Sequence, residues 1–220
     1  MTLFRLEGVT LRRGDAVVLE QCDAQLPAGA TCVWGPSGSG KSSLLRLLNR
    51  LADPDEGRVL LEGRDVRGLD VLALRRRVVL VQQLPSPLPG TVEDNVRYGP
   101  RLAHRAADVA RLLELVALPR SLAGRDAATL SVGQQQRLML ARSLALEPEV
   151  LLLDEPTSAL DEGARDAVEE TLAHLRDEIE VSLVVVTHEL EQARRLAEWV
   201  VELREGRVVA QGPARELLAR

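Results

Sequence analysis

Gly35-Pro36-Ser37-Gly38-Ser39-Gly40-Lys41-Ser42 decides how the rest of the chain is read. These eight residues fit G-x-x-x-x-G-K-[ST], the phosphate-binding loop known as the Walker A motif. Ala30-Thr31-Cys32-Val33-Trp34 before them reads as a short buried strand, and Ser43-Leu44-Leu45-Arg46-Leu47-Leu48 after them as a helix. A chance glycine-rich turn could match the motif, but strand, loop and helix in that order is the context a phosphate loop needs. Glycines at 35, 38 and 40 let the backbone bend tightly and approach a polyphosphate with no Cβ in the way. Successive N–H groups then point inward, and the helix N-terminus adds its positive end. Lys41 can reach the β- and γ-phosphates, and Ser42 can offer its hydroxyl to Mg²⁺.

Outward from the loop, the pattern is α/β with a helical interruption. Upstream, Leu3 to Val9 alternates apolar and polar, as a half-buried strand does. Arg12-Arg13-Gly14-Asp15 is turn-like, Ala16 to Leu19 resumes a strand, and another short strand is predicted before Pro27-Ala28-Gly29. Downstream, the helix should end near Leu51, ahead of the turn signal Asp53-Pro54-Asp55-Glu56-Gly57. Arg58 to Gly63 reads as a strand, Leu69 to Arg77 as a short helix, and Val78 to Val81 as a buried strand. Gln82 to Gly90 carries three prolines in nine residues, a stiff connector. From Thr91 to about Glu147 the chain reads as helical, with apolar residues at helical spacing over Ala107–Val116 and Leu138–Leu146. Strand and helix then alternate again: strand 150–153, helix 163–175, strand 181–186, helix 190–197, a hairpin around Glu205-Gly206, and a last short helix opened by Pro213. The expectation is one domain over 1–220, with a core of about 1–83 and 147–220 and a helical subdomain of about 84–146.

Composition narrows the class. Apolar residues make up 45% and charged residues 28%, ordinary for a globular protein. Phe4, Trp34, Tyr98 and Trp199 are the only aromatics, so the core must be built of Leu, Val and Ala. A net charge of −5 argues against a nucleic-acid partner. No apolar run reaches the ~18–20 residues of a membrane helix, and the first residues lack the plan of a signal peptide. These features predict a cytoplasmic protein with no transmembrane segment of its own. Cys22 and Cys32 show no metal-ligand spacing and read as small buried hydrophobes.

Val150-Leu151-Leu152-Leu153-Asp154-Glu155 is an apolar strand that ends in two carboxylates. Surface acids closing a strand would look the same, but beside a phosphate loop the pair acquires chemistry. In an open parallel sheet, ligands bind where strands end. Asp154 fits a Mg²⁺ ligand, and Glu155 is placed to polarise an attacking water. Further upstream, Leu130-Ser131-Val132-Gly133-Gln134-Gln135-Gln136-Arg137 precedes a helix; Ser131 and Gln134 have the spacing of a capping box.

Leu-Ser-x-Gly-Gln, about twenty residues before the Asp-Glu strand, resembles the signature of the ATP-binding-cassette (ABC) ATPases. The other motifs of that family occur in order. Gln83 matches the Q-loop glutamine, Ser158-Ala159-Leu160-Asp161 the D-loop, and His188 the switch histidine after the next strand. The resemblance covers about Leu3 to Leu218. It implies a P-loop NTPase of the ABC nucleotide-binding type, with an antiparallel β subdomain and an inserted helical subdomain. It implies ATP and Mg²⁺ as cofactors and a head-to-tail dimer of two copies. ATP would lie between one copy's Gly35–Ser43 and the other's Ser131, Gly133 and Gln134. Lys41 would hold phosphates, Ser42, Gln83 and Asp154 the metal; Glu155 would act as general base, with Gln83 and His188 completing the γ-phosphate site.

Two departures stand out. Val132 replaces a glycine of the signature and puts a β-branched side chain near the phosphate path, while Gly133 keeps the second permissive position. Arg13 stands where family members often carry an aromatic residue against adenine; an arginine plane can also stack on a base. The family implies a transporter subunit, peripheral on the inner face of the membrane, docked on separate integral membrane permease subunits. Pro85 to Pro89, Glu93 to Arg101, Leu48-Asn49-Arg50 and Gln134 to Arg137 resemble phosphate-import ATPases. The stretch from Asn49 to Gly57 is shorter than in those proteins, and compact cassettes of metal or nucleotide-sugar exporters are also similar. A kinase or GTPase is disfavoured by the lack of an Asn-Lys-x-Asp guanine motif, and a DNA-repair cassette by the lack of coiled coils or cysteine inserts. A cassette driving a non-transport membrane complex stays open on sequence.

Overall fold

The computed structural model describes residues 2–179 and 181–219. The end points of the expected domain, Met1 and Arg220, lie outside the described residues. The elements run β1 (Thr2–Arg13), β2 (Ala16–Pro27), β3 (Ala30–Trp34), α1 (Lys41–Leu48), β4 (Glu56–Leu61), β5 (Arg64–Asp65), α2 (Val71–Arg77), β6 (Val78–Val81), α3 (Val92–Leu102), α4 (Val109–Leu115), α5 (Val132–Leu144), β7 (Val150–Asp154), α6 (Glu162–Glu178), β8 (Ser182–Thr187), α7 (Leu190–Leu196), β9 (Trp199–Arg204), β10 (Arg207–Pro213) and α8 (Ala214–Leu217).

Two sheets form. The first is antiparallel, in the order β2-β1-β4-β5. The second has the order β10-β9-β3-β8-β7-β6 and is parallel apart from β10. Alternation along the parallel strands splits the core. Val150, Leu152, Val184 and Val186 face a cluster with α1 and the antiparallel sheet. Leu151, Leu153, Leu183 and Val185 face a second cluster with α4, α5 and α6. Both faces are covered, which is why β7 reads as an unbroken apolar run.

Several boundaries differ from the sequence reading. β2 is one strand, not two, because Gln21 sits at φ 47° and shifts the register, so that Leu19 and Cys22 both point inward. β1 runs on to Arg13, leaving Gly14-Asp15 as the turn. α1 stops at Leu48, with Asn49 as its cap and Arg50 left-handed at φ 56°. The segment expected to be helical contains α3, α4 and α5 joined by loops, with side-chain caps from Thr91, Asp108 and Ser131. Pro213 both ends β10 and stands at the N-cap of α8, opening that helix as expected.

Candidate functional site

Four neighbouring strands deliver the site from one edge of the parallel sheet. β3 ends in the phosphate loop, β6 in Gln82-Gln83, β7 in Asp154-Glu155, and β8 in Thr187-His188. Their carboxyl ends lie together because the strands are parallel, which is where such sheets gather ligands.

The loop glycines serve more than ligand approach. Gly35 (φ 157°) would place a Cβ 2.0 Å from the Leu203 carbonyl oxygen of β9. Gly40 (φ 102°), which caps α1, would place one 2.8 Å from the Val18 carbonyl oxygen of β2. The loop is therefore pressed against two strands as well as bent. Lys41 is buried, and its Nζ donates to the carbonyl oxygens of Gly35 and Pro36 at 2.9 Å each. Burial pushes its pKa down, against the pull of Glu155 and Asp154. Ser39 Oγ is buried with no hydrogen-bond partner among the described residues. Pro36, Ser37 and Gly38 are exposed, while Ser43 is buried in α1. A buried cation, a free hydroxyl and the N-terminus of α1 converge, and that donor set fits a polyphosphate.

Ser42 Oγ donates to Asp154 Oδ1 at 2.7 Å, joining the start of α1 to the end of β7. Burial raises the pKa of Asp154, and the Ser42 hydrogen bond opposes it. Two hard oxygens side by side at a phosphate loop suit Mg²⁺. Glu155 lies in the left-handed region at φ 45°, an uncommon place for a non-glycine residue. Its Oε1 is 3.7 Å from Lys41 Nζ and 3.3 Å from His188 Nδ1. Its Oε2 is 3.4 Å from Gln83 Nε2. Gln83 Nε2 also donates to Ser158 Oγ at 2.9 Å, and that hydroxyl donates to the Glu155 carbonyl at 3.1 Å. Lys41, Ser42, Asp154, Glu155, Gln83 and His188 thus meet in one cluster. Ser158 belongs to the D-loop match, but only the structure shows its contact with Gln83.

The remaining predicted residues lie elsewhere in the chain. Ser131 caps α5; its Oγ accepts from Gln134 N at 3.3 Å, and Gln134 Oε1 accepts from Ser131 N at 3.1 Å, the expected capping box. No hydrogen bond or ion pair joins Ser131–Gln134 to the phosphate loop among the described residues. Val132 is 48% exposed at the first position of the helix. Gly133 has ordinary helical backbone, and its conformational freedom is not used. A Cβ there would lie 2.8 Å from Ala164 Cβ, so the glycine lets α5 pack closely on α6. Arg13 is exposed at the end of β1, opposite Ala16 across the hairpin.

The chain is similar to known proteins in sequence and in fold. The ABC transporter family model matches residues 19–158. Protein STAR1 of Oryza sativa subsp. japonica is 49% identical over 97% of the chain, and the chain spans 63% of that protein's length. The phosphate import ATP-binding protein PstB of Thermotoga maritima is 41% identical, over 86% of the chain and 81% of its own length. Among solved structures, cbiO1 of Clostridium perfringens, part of the ABC transporter complex cbiONQ, superposes with TM-score 0.90 at 25% identity, covering 100% of this chain and 91% of that one. A dimeric ATP-binding cassette in a post-hydrolysis state, bound to ADP and Pi, gives 0.84 at 30% identity, covering 97% and 99%. With the matched region, the fold and the ordered motifs in agreement, the chain belongs to the ABC transporter family, as one of its ATP-binding-cassette domains.

Proposed function

We propose that the chain is the ATP-binding and ATP-hydrolysing subunit of a transporter, working as a head-to-tail dimer on separate membrane permease subunits. The convergence of Lys41, the Ser42–Asp154 pair and the Glu155–Gln83–His188 cluster at one sheet edge carries this reading. Ser39, Lys41 and the N-terminus of α1 bind the phosphates. Ser42 and Asp154, with Gln83, would hold Mg²⁺, which when bound neutralises charge on the phosphate oxygens. Glu155 takes a proton from the attacking water or orients it. His188 donates to the γ-phosphate, and its contact with Glu155 lets it sense the same event. Arg13 lies against the base. Ser131, Gly133 and Gln134 of the second copy close the site from the opposite side.

The dimer is supported by the dimeric cassette structure, which the chain matches over nearly its full length. A permease partner is supported by a groove of about 600 Å³ among β6, α2, α3 and α5. Leu72, Leu84, Tyr98 and Leu102 line it and are more than half exposed. Such apolar exposure on one face marks an interaction surface. No helix among the described residues is long and apolar enough to cross a membrane. The chain's place would be the inner face of the membrane. Phosphate is the first cargo to test, given the similarity to PstB; an exporter of metal or nucleotide-sugar type, or a complex that moves no cargo, is the alternative.

Glu155→Gln tests the catalytic reading. The variant should bind ATP as tightly as the native chain, hydrolyse it at least 100-fold more slowly on the order of a lost general base, and accumulate as a dimer with ATP. Native turnover in this variant refutes the role of Glu155. Co-purification with a multi-span membrane protein is expected; a purely soluble complex would sink the transporter reading.

A further inference from the structure

The turn that carries Glu155 and Ser158 is held from behind by groups that none of the sequence motifs explains. Thr157, between them, is 2% exposed, and its Oγ1 accepts from Gln192 Nε2 at 2.7 Å. Gln192 lies on α7 and is 1% exposed. Its Nε2 also donates to Glu169 Oε1 of α6 at 2.9 Å. Glu169 is 6% exposed, and its Oε2 meets Arg195 Nη2 of α7 at 2.5 Å. Hydrogen bonds this deep cost most when one partner is lost, because the other is left unsatisfied.

The position of the chain of bonds matters more than its strength. α7 begins two residues after His188, and Gln192 is on its first turn. Thr157 is two residues after Glu155. α6, which carries Glu169, is itself tied to the His188 segment, with Arg165 donating to Glu189 Oε2 at 3.0 Å. The His188 segment and the Glu155 turn are therefore joined twice: once across the site, through His188 Nδ1 and Glu155 Oε1 at 3.3 Å, and once behind it, through Gln192 and Thr157. The turn needs such support, because Glu155 sits at φ 45° and persists there only if its surroundings fix it.

We propose that Gln192, anchored by Glu169, is a positioning residue for hydrolysis: it holds Thr157 so that Glu155 and His188 keep one relative placement. This rests on the reading of Glu155 and His188 given above. The side-chain hydrogen bonds of Gln192 run to Thr157 and Glu169, not to the phosphate loop, so its effect should fall on turnover and not on nucleotide affinity. Misplacing a reacting group by a fraction of an ångström to an ångström lowers a rate by about 10- to 100-fold.

The test uses the full chain, with ATP affinity from calorimetric titration and turnover from phosphate release at saturating ATP. Thr157→Val keeps the volume and removes the acceptor. It should bind ATP within about twofold of native and lose about tenfold or more in turnover. Thr157→Ser should restore most of the rate. Gln192→Leu should lose a similar factor, and the double variant no more than the worse single one, because the two residues act as a unit. Native turnover in Thr157→Val overturns the proposal, and so does a loss that follows the melting temperature and is not rescued by serine. If Gln192→Leu does not fold, the valine and serine variants decide alone. A native chain that binds ATP without hydrolysing it would refute the general function and this role with it, whereas a fast Thr157→Val chain refutes only the role.

Discussion

Gly133→Ala is expected to destabilise the protein although alanine is the better helix former. The added Cβ would lie 2.8 Å from Ala164 Cβ and 3.6 Å from Ala164 Cα. Comfortable carbon–carbon contact is about 3.5–4.0 Å, so α5 and α6 must separate by roughly 0.7–1.2 Å. Overpacking of this kind costs about 1–3 kcal/mol. Alanine returns at most about 1 kcal/mol of helix propensity. Midway through these ranges the net loss is about 1 kcal/mol, and for a chain of this length it lowers Tm by about 2–4 °C. The assay is a thermal melt without nucleotide, followed by the partner variant Ala164→Gly and the double variant. Gly133→Ala with Ala164→Gly should melt above the sum of the two single effects, with a coupling of about 1–2 kcal/mol. A Gly133→Ala chain that melts at or above native, or a purely additive double variant, refutes the packing argument and returns Gly133 to its expected role as a permissive position.

Val132→Gly should raise ATP turnover, because it removes a 48% exposed β-branched side chain from the face that the proposed head-to-tail dimer turns to the second copy; an unchanged or lower rate in a phosphate-release assay counts against it. Asp154→Asn should abolish turnover yet leave the nucleotide-free protein as stable as native or more so at pH 7–8. The carboxyl's pKa is raised in the fold by burial, so the unfolded chain releases that proton first, and stability falls as pH rises through the interval between the two values. Asparagine keeps the acceptor for Ser42 and carries no charge to bury. Its advantage should vanish near the ordinary carboxylate pKa of about 4; a lower Tm than native at pH 8 would contradict the sign.

The parts legible in the sequence were local. The phosphate loop, the Asp154-Glu155 strand end and the Ser131–Gln134 capping box are short runs whose residue types carry their own geometry. Strand pairing was less accessible, since a bulge at Gln21 depends on what β1 needs buried across the hairpin. Gly133 looked like backbone freedom because its reason, Ala164, lies thirty-one residues on. Thr157, Glu169 and Gln192 carry no chemical signal of their own in the sequence. One signal could have found Gln192: it is polar on the side of α7 that also buries Ala193 and Leu196. Nothing local names its partners, because Thr157 and Glu169 reach it from other elements.

Lys41, tied to the carbonyls of Gly35 and Pro36, makes nucleotide capture an exchange instead of a gain. The ammonium has already left bulk water on folding, so that cost does not recur when a ligand arrives. What remains is the difference between two carbonyl dipoles and whatever replaces them. Neutral ligands, and anions with little charge within reach of Nζ, have scarcely anything to offer over the carbonyls. A chain of phosphates does. The resting contacts thereby set a threshold of negative charge below which the loop keeps its own company.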